Sequence, residues 1–151
     1  MLGKLIHILA PAVLLLALPC GAATGPEQRA LDFFNAVAGG EFDRALQMME
    51  FREDTPEEEA AIEADMPELL REQKKDFDTK GGVASIDVFL AGDPGSVTEG
   101  EEIGARVLIL FRDNVYPADA HTYMIMKSGS EWKMTHRKKH ALWFEDIDPL
   151  N

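Results

Sequence analysis

The sequence predicts an α+β domain in which three N-terminal helices lie across one face of a curved antiparallel sheet of about four strands. Two observations carry this prediction. Apolar residues recur at intervals of three and four up to Phe77, and from Val83 the period switches from helical to two. Turn-forming residues stand at the borders, as Gly39-Gly40, Gly81-Gly82, Gly92-Asp93-Pro94-Gly95 and Ser128-Gly129.

The first element precedes the domain. Lys4 gives a positive start, Leu5 to Leu18 is an apolar run, and Gly21-Ala22-Ala23 supplies the small residues a signal peptidase reads, so residues 1–23 read as an export signal. The run is too short to span a bilayer, which takes about 20 residues, and Pro11 and Pro19 interrupt it. Cys20 offers a lipid-anchor alternative, but Pro19 directly before it departs from the lipoprotein pattern. Cleavage after Ala23 leaves residues 24–151 as a single domain with a short apolar extension over 140–151. Cys20 is the only cysteine, so the mature chain depends on packing for its stability.

The first helix begins at Pro26, where a proline is tolerated, and gathers Ala30, Leu31, Phe33, Phe34 and Val37 on one face before Gly39-Gly40 ends it. A second helix follows through Phe42, Ala45, Leu46 and Met49. Thr55-Pro56-Glu57-Glu58 is a capping box opening a third, whose stripe runs through Ile62, Met66, Leu69 or Leu70, Gln73 and Phe77. Pro67 predicts a kink or break at Asp65-Met66, because proline lacks a donor and disfavours α geometry just before itself.

Ala84, Ile86, Val88 and Leu90 alternate with Ser85, Asp87 and Phe89 as a first strand. Ile103 to Phe111 is apolar at nearly every position except Arg106, which reads as a central strand covered on both faces. Ala120 to Lys127 and Glu131 to Arg137 form a closing hairpin, with Thr122, Met124 and Met126 facing the same way as Trp132, Met134 and His136. His121, Tyr123 and Ile125 then take the opposite face. Ala141, Leu142, Trp143, Phe144 and Ile147 are too apolar for a free tail and are expected to cover the sheet edge or a partner.

A net charge of −12 and the lack of a basic stripe with interleaved aromatics exclude a nucleic-acid partner. The acid is concentrated between Glu50 and Glu68, where Arg52 is the one basic residue. Carboxylates at a helix start are favoured by the dipole, and their spacing does not match a calcium loop.

The pattern Ala30-x-x-Phe33-Phe34-x-Ala36-x-x-x-Gly40-x-Phe42-x-x-Ala45, then Gly100-Glu101-x-x-x-Ala105-x-Val107, then Lys127-x-Gly129-x-x-Trp132-Lys133-Met134, is distinctive in order and spacing. It resembles the nuclear-transport-factor-like (ketosteroid-isomerase-like, cystatin-like) superfamily, and within it the small exported bacterial domains of unknown function, over residues 27 to 136. The resemblance implies a cone-like fold whose helices and concave sheet enclose a pocket. It also implies a range of uses, from isomerases and dehydratases to binding of small molecules or partner chains, often as dimers through the outer sheet face.

On this basis Phe34, Met49, Met124, Trp132, Met134 and His136 are the expected pocket, suited to a small apolar ligand unless they close on each other as core. Val107, Ile109, Tyr123 and Ile125 are the expected outer patch for a second copy or a protein partner. The expectation is a non-catalytic binding domain. The alternative is an isomerase- or dehydratase-like enzyme that uses His136, near the cations Arg137, Lys138 and Lys139, as a neutral base. Asp87, Tyr116 and Tyr123 are the other acid–base groups to weigh, and none falls where the resemblance would need it. His136 and His140 converge on a metal only in a helix, and the cations between them oppose one, so neither metal nor cofactor is expected. Membrane contact is expected only through the leader or a lipid on Cys20. Full-length protein exported to a bacterial periplasm should begin at Thr24 by intact mass and N-terminal sequencing; a start at acylated Cys20, or an intact Met1, would contradict this.

Overall fold

The first helix, α1 (Pro26–Gly39), forms because its apolar residues repeat at helical spacing and its ends are closed. Gly40 takes a left-handed φ of 74° and donates to the carbonyls of Ala36 and Val37, which stops the helix. The structure is a computed structural model and describes residues 24–136. The export leader with Cys20, the cations 137–139, His140 and the apolar extension with Trp143 lie outside the described residues. The remaining elements are α2 (Phe42–Gln47), β1 (Met49–Phe51), α3 (Pro56–Thr79), β2 (Val83–Leu90), β3 (Glu102–Phe111), β4 (Asp119–Ser128) and β5 (Glu131–His136). The strands form one curved, unclosed sheet in the order β1-β5-β4-β3-β2.

The α+β class holds, with two changes to the sheet. It has five strands rather than about four, and it is mixed, because β1 pairs parallel with β5 through Met49↔Met134 and Phe51↔His136. Met49 is therefore the first residue of a strand rather than part of the second helix. The helix ends when Met48 donates back to the carbonyls of Ala45 and Leu46, and Met134 N then donates to Met48 O at 2.8 Å.

Helix α3 opens as the capping box predicts, with the Glu58 N–H donating to Thr55 Oγ1 at 3.2 Å. It does not break at Pro67. Met66 and Leu70 on either side are buried in the core, and Glu63, whose carbonyl loses the missing donor, is solvent-exposed. Packing of the stripe Met66, Leu70 and Phe77 outweighs one lost hydrogen bond.

Strand β3 buries Ile103, Ala105, Val107, Ile109 and Phe111 beneath the helices, whereas Leu110 between the last two is 38% exposed. It is thus fully covered on one face, not both. The register Ile103↔Ile125 and Ile125↔Met134 carries that face onto β4 and β5. Two residues, Gly129 and Ser130, form the turn between Ser128 and Glu131, so odd-numbered positions of β4 face with even-numbered positions of β5. Tyr123 and Ile125 consequently share the inner face with Trp132, Met134 and His136, while Met124 and Met126 lie on the outer face.

This overturns the outer-patch reading. Val107, Ile109 and Ile125 are each 0% exposed in the core under α1, and Tyr123 packs against that core. Met124 also leaves the expected pocket. Ile109→Ala should lower stability by about 2–5 kcal/mol and Leu110→Ala by far less, read from urea midpoints. Equal losses would mean that both faces of β3 are covered.

Candidate functional site

The interior that the expected pocket would occupy is built from α1 and the inner sheet face. Phe34 is 0% exposed and meets the Tyr123 ring edge-on at 4.9 Å; its neighbour Phe33 stands perpendicular to it at 5.1 Å. Met134 and Trp132 are buried beside them and Met49 is half-buried against the same core. Lys127 Nζ lies 6.0 Å from the Trp132 ring centre. Phe34, Trp132 and Met134 thus belong to one core cluster, with Met49 packed against it and paired in register with Met134. Met124 instead accepts a hydrogen bond on its carbonyl from the Thr135 hydroxyl at 3.0 Å.

Among the described residues no polar or charged residue is fully buried, so titratable chemistry gathers at the rim. Tyr123 comes nearest to the interior. Burial pushes its phenol up to about 12, opposed by a hydrogen bond with Gln73 of α3 and assisted slightly by the charge of Asp119. Such a phenol stays protonated at neutral pH and can donate a hydrogen bond, but it cannot serve as a base. Further out on the same strand face, Lys80 bonds to Asp119 at 2.8 Å and Asp76 at 2.7 Å, with its ammonium 4.6 Å from the Phe111 ring centre. The bond to Asp119, then that to Asp76, holds the Lys80 ammonium above its ordinary pKa. The cluster ties the end of α3 to the start of β4.

On the neighbouring strand β5, next to β1, His136 Nδ1 is 2.8 Å from Glu53 Oε1, and the Glu53 side chain is only 5% exposed. The Phe51 ring lies alongside the imidazole at 6.4 Å. His136 is therefore a rim residue oriented by a carboxylate. Asp87 faces outward on β2 and Tyr116 lies in the exposed β3–β4 connection. Among the described residues no group of three or more His, Cys, Asp or Glu could hold a metal ion, and no helix is long and apolar enough to cross a membrane.

A concavity of about 650 Å³ opens outside the core, beside the first half of β2. Asn35 and Ala38 of α1, Asp78 at the end of α3, Ser85 and Ile86 of β2, and Arg112 after β3 line it. The turn that shapes it needs glycine. Gly81 and Gly82 take φ of 79° and 86°, and a Cβ on Gly81 would sit 3.1 Å from the Asp113 nitrogen.

Sequence reasoning missed Glu53, Gln73, Asp119 and Arg112 as site residues. Glu53 is part of an acidic run that reads as solvated, and its histidine lies 83 positions away. Lys80 and Asp119 are 39 positions apart. Only the sheet register could have joined them.

No family model matches the chain, and no curated protein matches it. Among solved structures it is similar to a Campylobacter jejuni protein provisionally named an NTF2-like transpeptidase, at 17% identity, with a TM-score of 0.56 over 74% of this chain and 97% of that one. A SEC-C motif containing protein from Rhodopseudomonas palustris overlays with a TM-score of 0.43 at 15% identity, over 77% of this chain and 79% of that one. Helices laid across a curved, unclosed sheet define an α+β cone. It is the NTF2-like fold, as the sequence pattern implied.

Raised from an ordinary 10.0 to about 12, the Tyr123 phenol stabilises the fold fully below pH 10 and ceases to as pH climbs through about 12. Stability should therefore fall by roughly 2–3 kcal/mol across that window, and Tyr123→Phe should flatten most of the fall while leaving the Lys80 contribution in place. Urea unfolding at several alkaline pH values, with tyrosinate absorbance, measures this; an unchanged alkaline limb in the variant would contradict it.

Proposed function

We propose that the chain is an exported, non-catalytic binding domain that engages a partner polypeptide from outside a filled interior. One observation carries this reading. The residues expected to line an apolar pocket, Phe34, Trp132 and Met134, are buried against one another and against Ile125 and Tyr123 as continuous core. A ligand pocket needs room and a few convergent polar groups. A desolvated general base needs a buried ionisable group poised near neutral pH. The inner face offers a phenol pushed up to about 12, and the buried Glu53 carboxylate is already engaged by His136 at 2.8 Å. The concavity beside β2 is polar and open to partners, which supports recognition at the surface. The likeness to the Campylobacter jejuni protein supports the fold alone and leaves the choice between binding and catalysis to the site.

A second reading, an isomerase- or dehydratase-like enzyme using His136, is favoured by the 2.8 Å contact with Glu53. Such a carboxylate fixes the ring and leaves the second nitrogen for proton transfer. The two readings part in a ligand screen. Full-length protein should show no rise in Tm above about 1 °C, well under the shift of a tightly bound ligand, with sterols, fatty acids or small cyclic ketones. A clear rise, with NMR shifts centred on Phe34, Trp132 and Met134, would overturn the filled interior; shifts at His136 that vanish in Glu53→Gln would favour the enzyme.

A further inference from the structure

The two edges of the sheet are not equivalent. β1 is three residues long, whereas β2 runs for eight, from Val83 to Leu90, and has a neighbour on one side only. The ladder identifies which groups the open side presents. Ala91 N donates to Gly104 O at 2.8 Å, and the register continues through Leu90↔Ala105, Phe89↔Arg106 and Val88↔Val107. In an antiparallel pair, alternate residues exchange bonds with the neighbour. Phe89, Asp87 and Ser85 therefore bond to β3, and the N–H and C=O groups of Ile86, Val88 and Leu90 point away from it. Among the described residues, no turn, cap or side chain takes up these outward groups.

Exposed edges are normally blunted by lysine, proline, a bulge or a covering segment. β2 contains neither lysine nor proline, and its irregularity between Val83 and Ser85 lies at its start, leaving Ile86 to Leu90 regular. The concavity beside Ser85 and Ile86 gives an added strand clearance from Ala38 and Asn35 of α1. The two faces of this edge differ in chemistry. Ile86, Val88 and Leu90 turn their side chains to the core, while Asp87 stands on the exposed outer face.

We propose that β2 is a strand-addition site for an extended partner segment that alternates apolar and basic residues. The proposal rests on the reading of the chain as a binding domain and names the partner's chemistry. Backbone groups of the segment pair with Ile86, Val88 and Leu90, its apolar side chains extend the core edge, and a lysine or arginine stands opposite Asp87. Charge argues against a second copy in this place. The chain carries −12, and a two-fold pairing centred on the strand sets Asp87 against Asp87.

The test uses full-length protein and an acetylated, amidated heptapeptide of alternating valine and lysine. Controls are a scrambled peptide of the same composition and one N-methylated at alternate residues. The alternating peptide should shift the amide signals of Ile86, Val88 and Leu90, and each control should bind at least about tenfold more weakly. Asp87→Lys, an exposed substitution, should lose binding by a similar factor while Tm is kept; Val88→Pro, which removes one outward N–H, should do the same if it folds. Equal binding of the scrambled peptide, or shifts centred elsewhere, overturns strand addition while the binding-domain reading stands. Shifts at these amides that depend on protein concentration alone replace the partner with a second copy. No response to the peptide, together with a lipophilic compound that raises Tm, overturns both.

Discussion

Burial of one stripe of α1 beneath the sheet is the interaction on which the rest of this protein depends. Ala30, Phe33, Phe34 and Val37 recur at helical spacing and are all at most 3% exposed. From this position α1 touches α2, α3, β2, β3 and β5. Each large apolar side chain fully withdrawn from water is worth about 1.5–3 kcal/mol, so the three large residues of this stripe contribute several kcal/mol together. Without a disulfide in the described region, no covalent link substitutes for it. Curvature of the sheet around this helix brings Tyr123, Ile125 and Met134 from two strands onto Phe34 and Phe33.

Polar chemistry among the described residues sits at the margins of this core. Lys80, Asp76 and Asp119 form one cluster beside β4, and Glu53 with His136 a second beside β1 and β5. Both arrangements link elements distant in sequence, so these contacts position strands as well as offering polar groups at the surface. Exposed ion pairs add little net stability, and those along α3, such as Arg71–Glu68 and Lys74–Asp78, chiefly keep an acidic surface soluble. Among the described residues, the β2 edge is a margin whose backbone groups at Ile86, Val88 and Leu90 have no partner, so its requirement is for backbone rather than side-chain partners.

What could be read from the sequence was whatever is decided locally. Thr55-Pro56-Glu57-Glu58 caps α3 because a cap involves residues three apart, and Gly40 ends α1 because its left-handed φ is a property of one residue. The alternation of Ile86, Val88 and Leu90 identified β2 for the same reason. Misreadings arose where a distant partner decides. Met49 continues a helical spacing, yet it gains a ladder to Met134, which only the folded sheet supplies. Pro67 reads as a break until Met66 and Leu70 are seen to be held by the core. The facing of the last hairpin hinged on a two-residue turn, whose parity moved Met124 out of the interior and brought Tyr123 and Ile125 in. Candidate site residues suffered most, since the pairings of Glu53 with His136 and Lys80 with Asp119 join positions 83 and 39 residues apart.

Among the described residues the sheet has one short, parallel-paired edge and one long edge without a neighbour, and on this asymmetry the proposed strand addition rests. The most direct measurement is amide hydrogen exchange along β2 in the free full-length protein. Ile86, Val88 and Leu90 should exchange close to the rate of an unprotected chain, while Asp87 and Phe89, bonded to β3, should be slowed by many orders of magnitude. Uniform protection of all five amides would mean that the edge is already covered, and would contradict a chain built to receive a strand there.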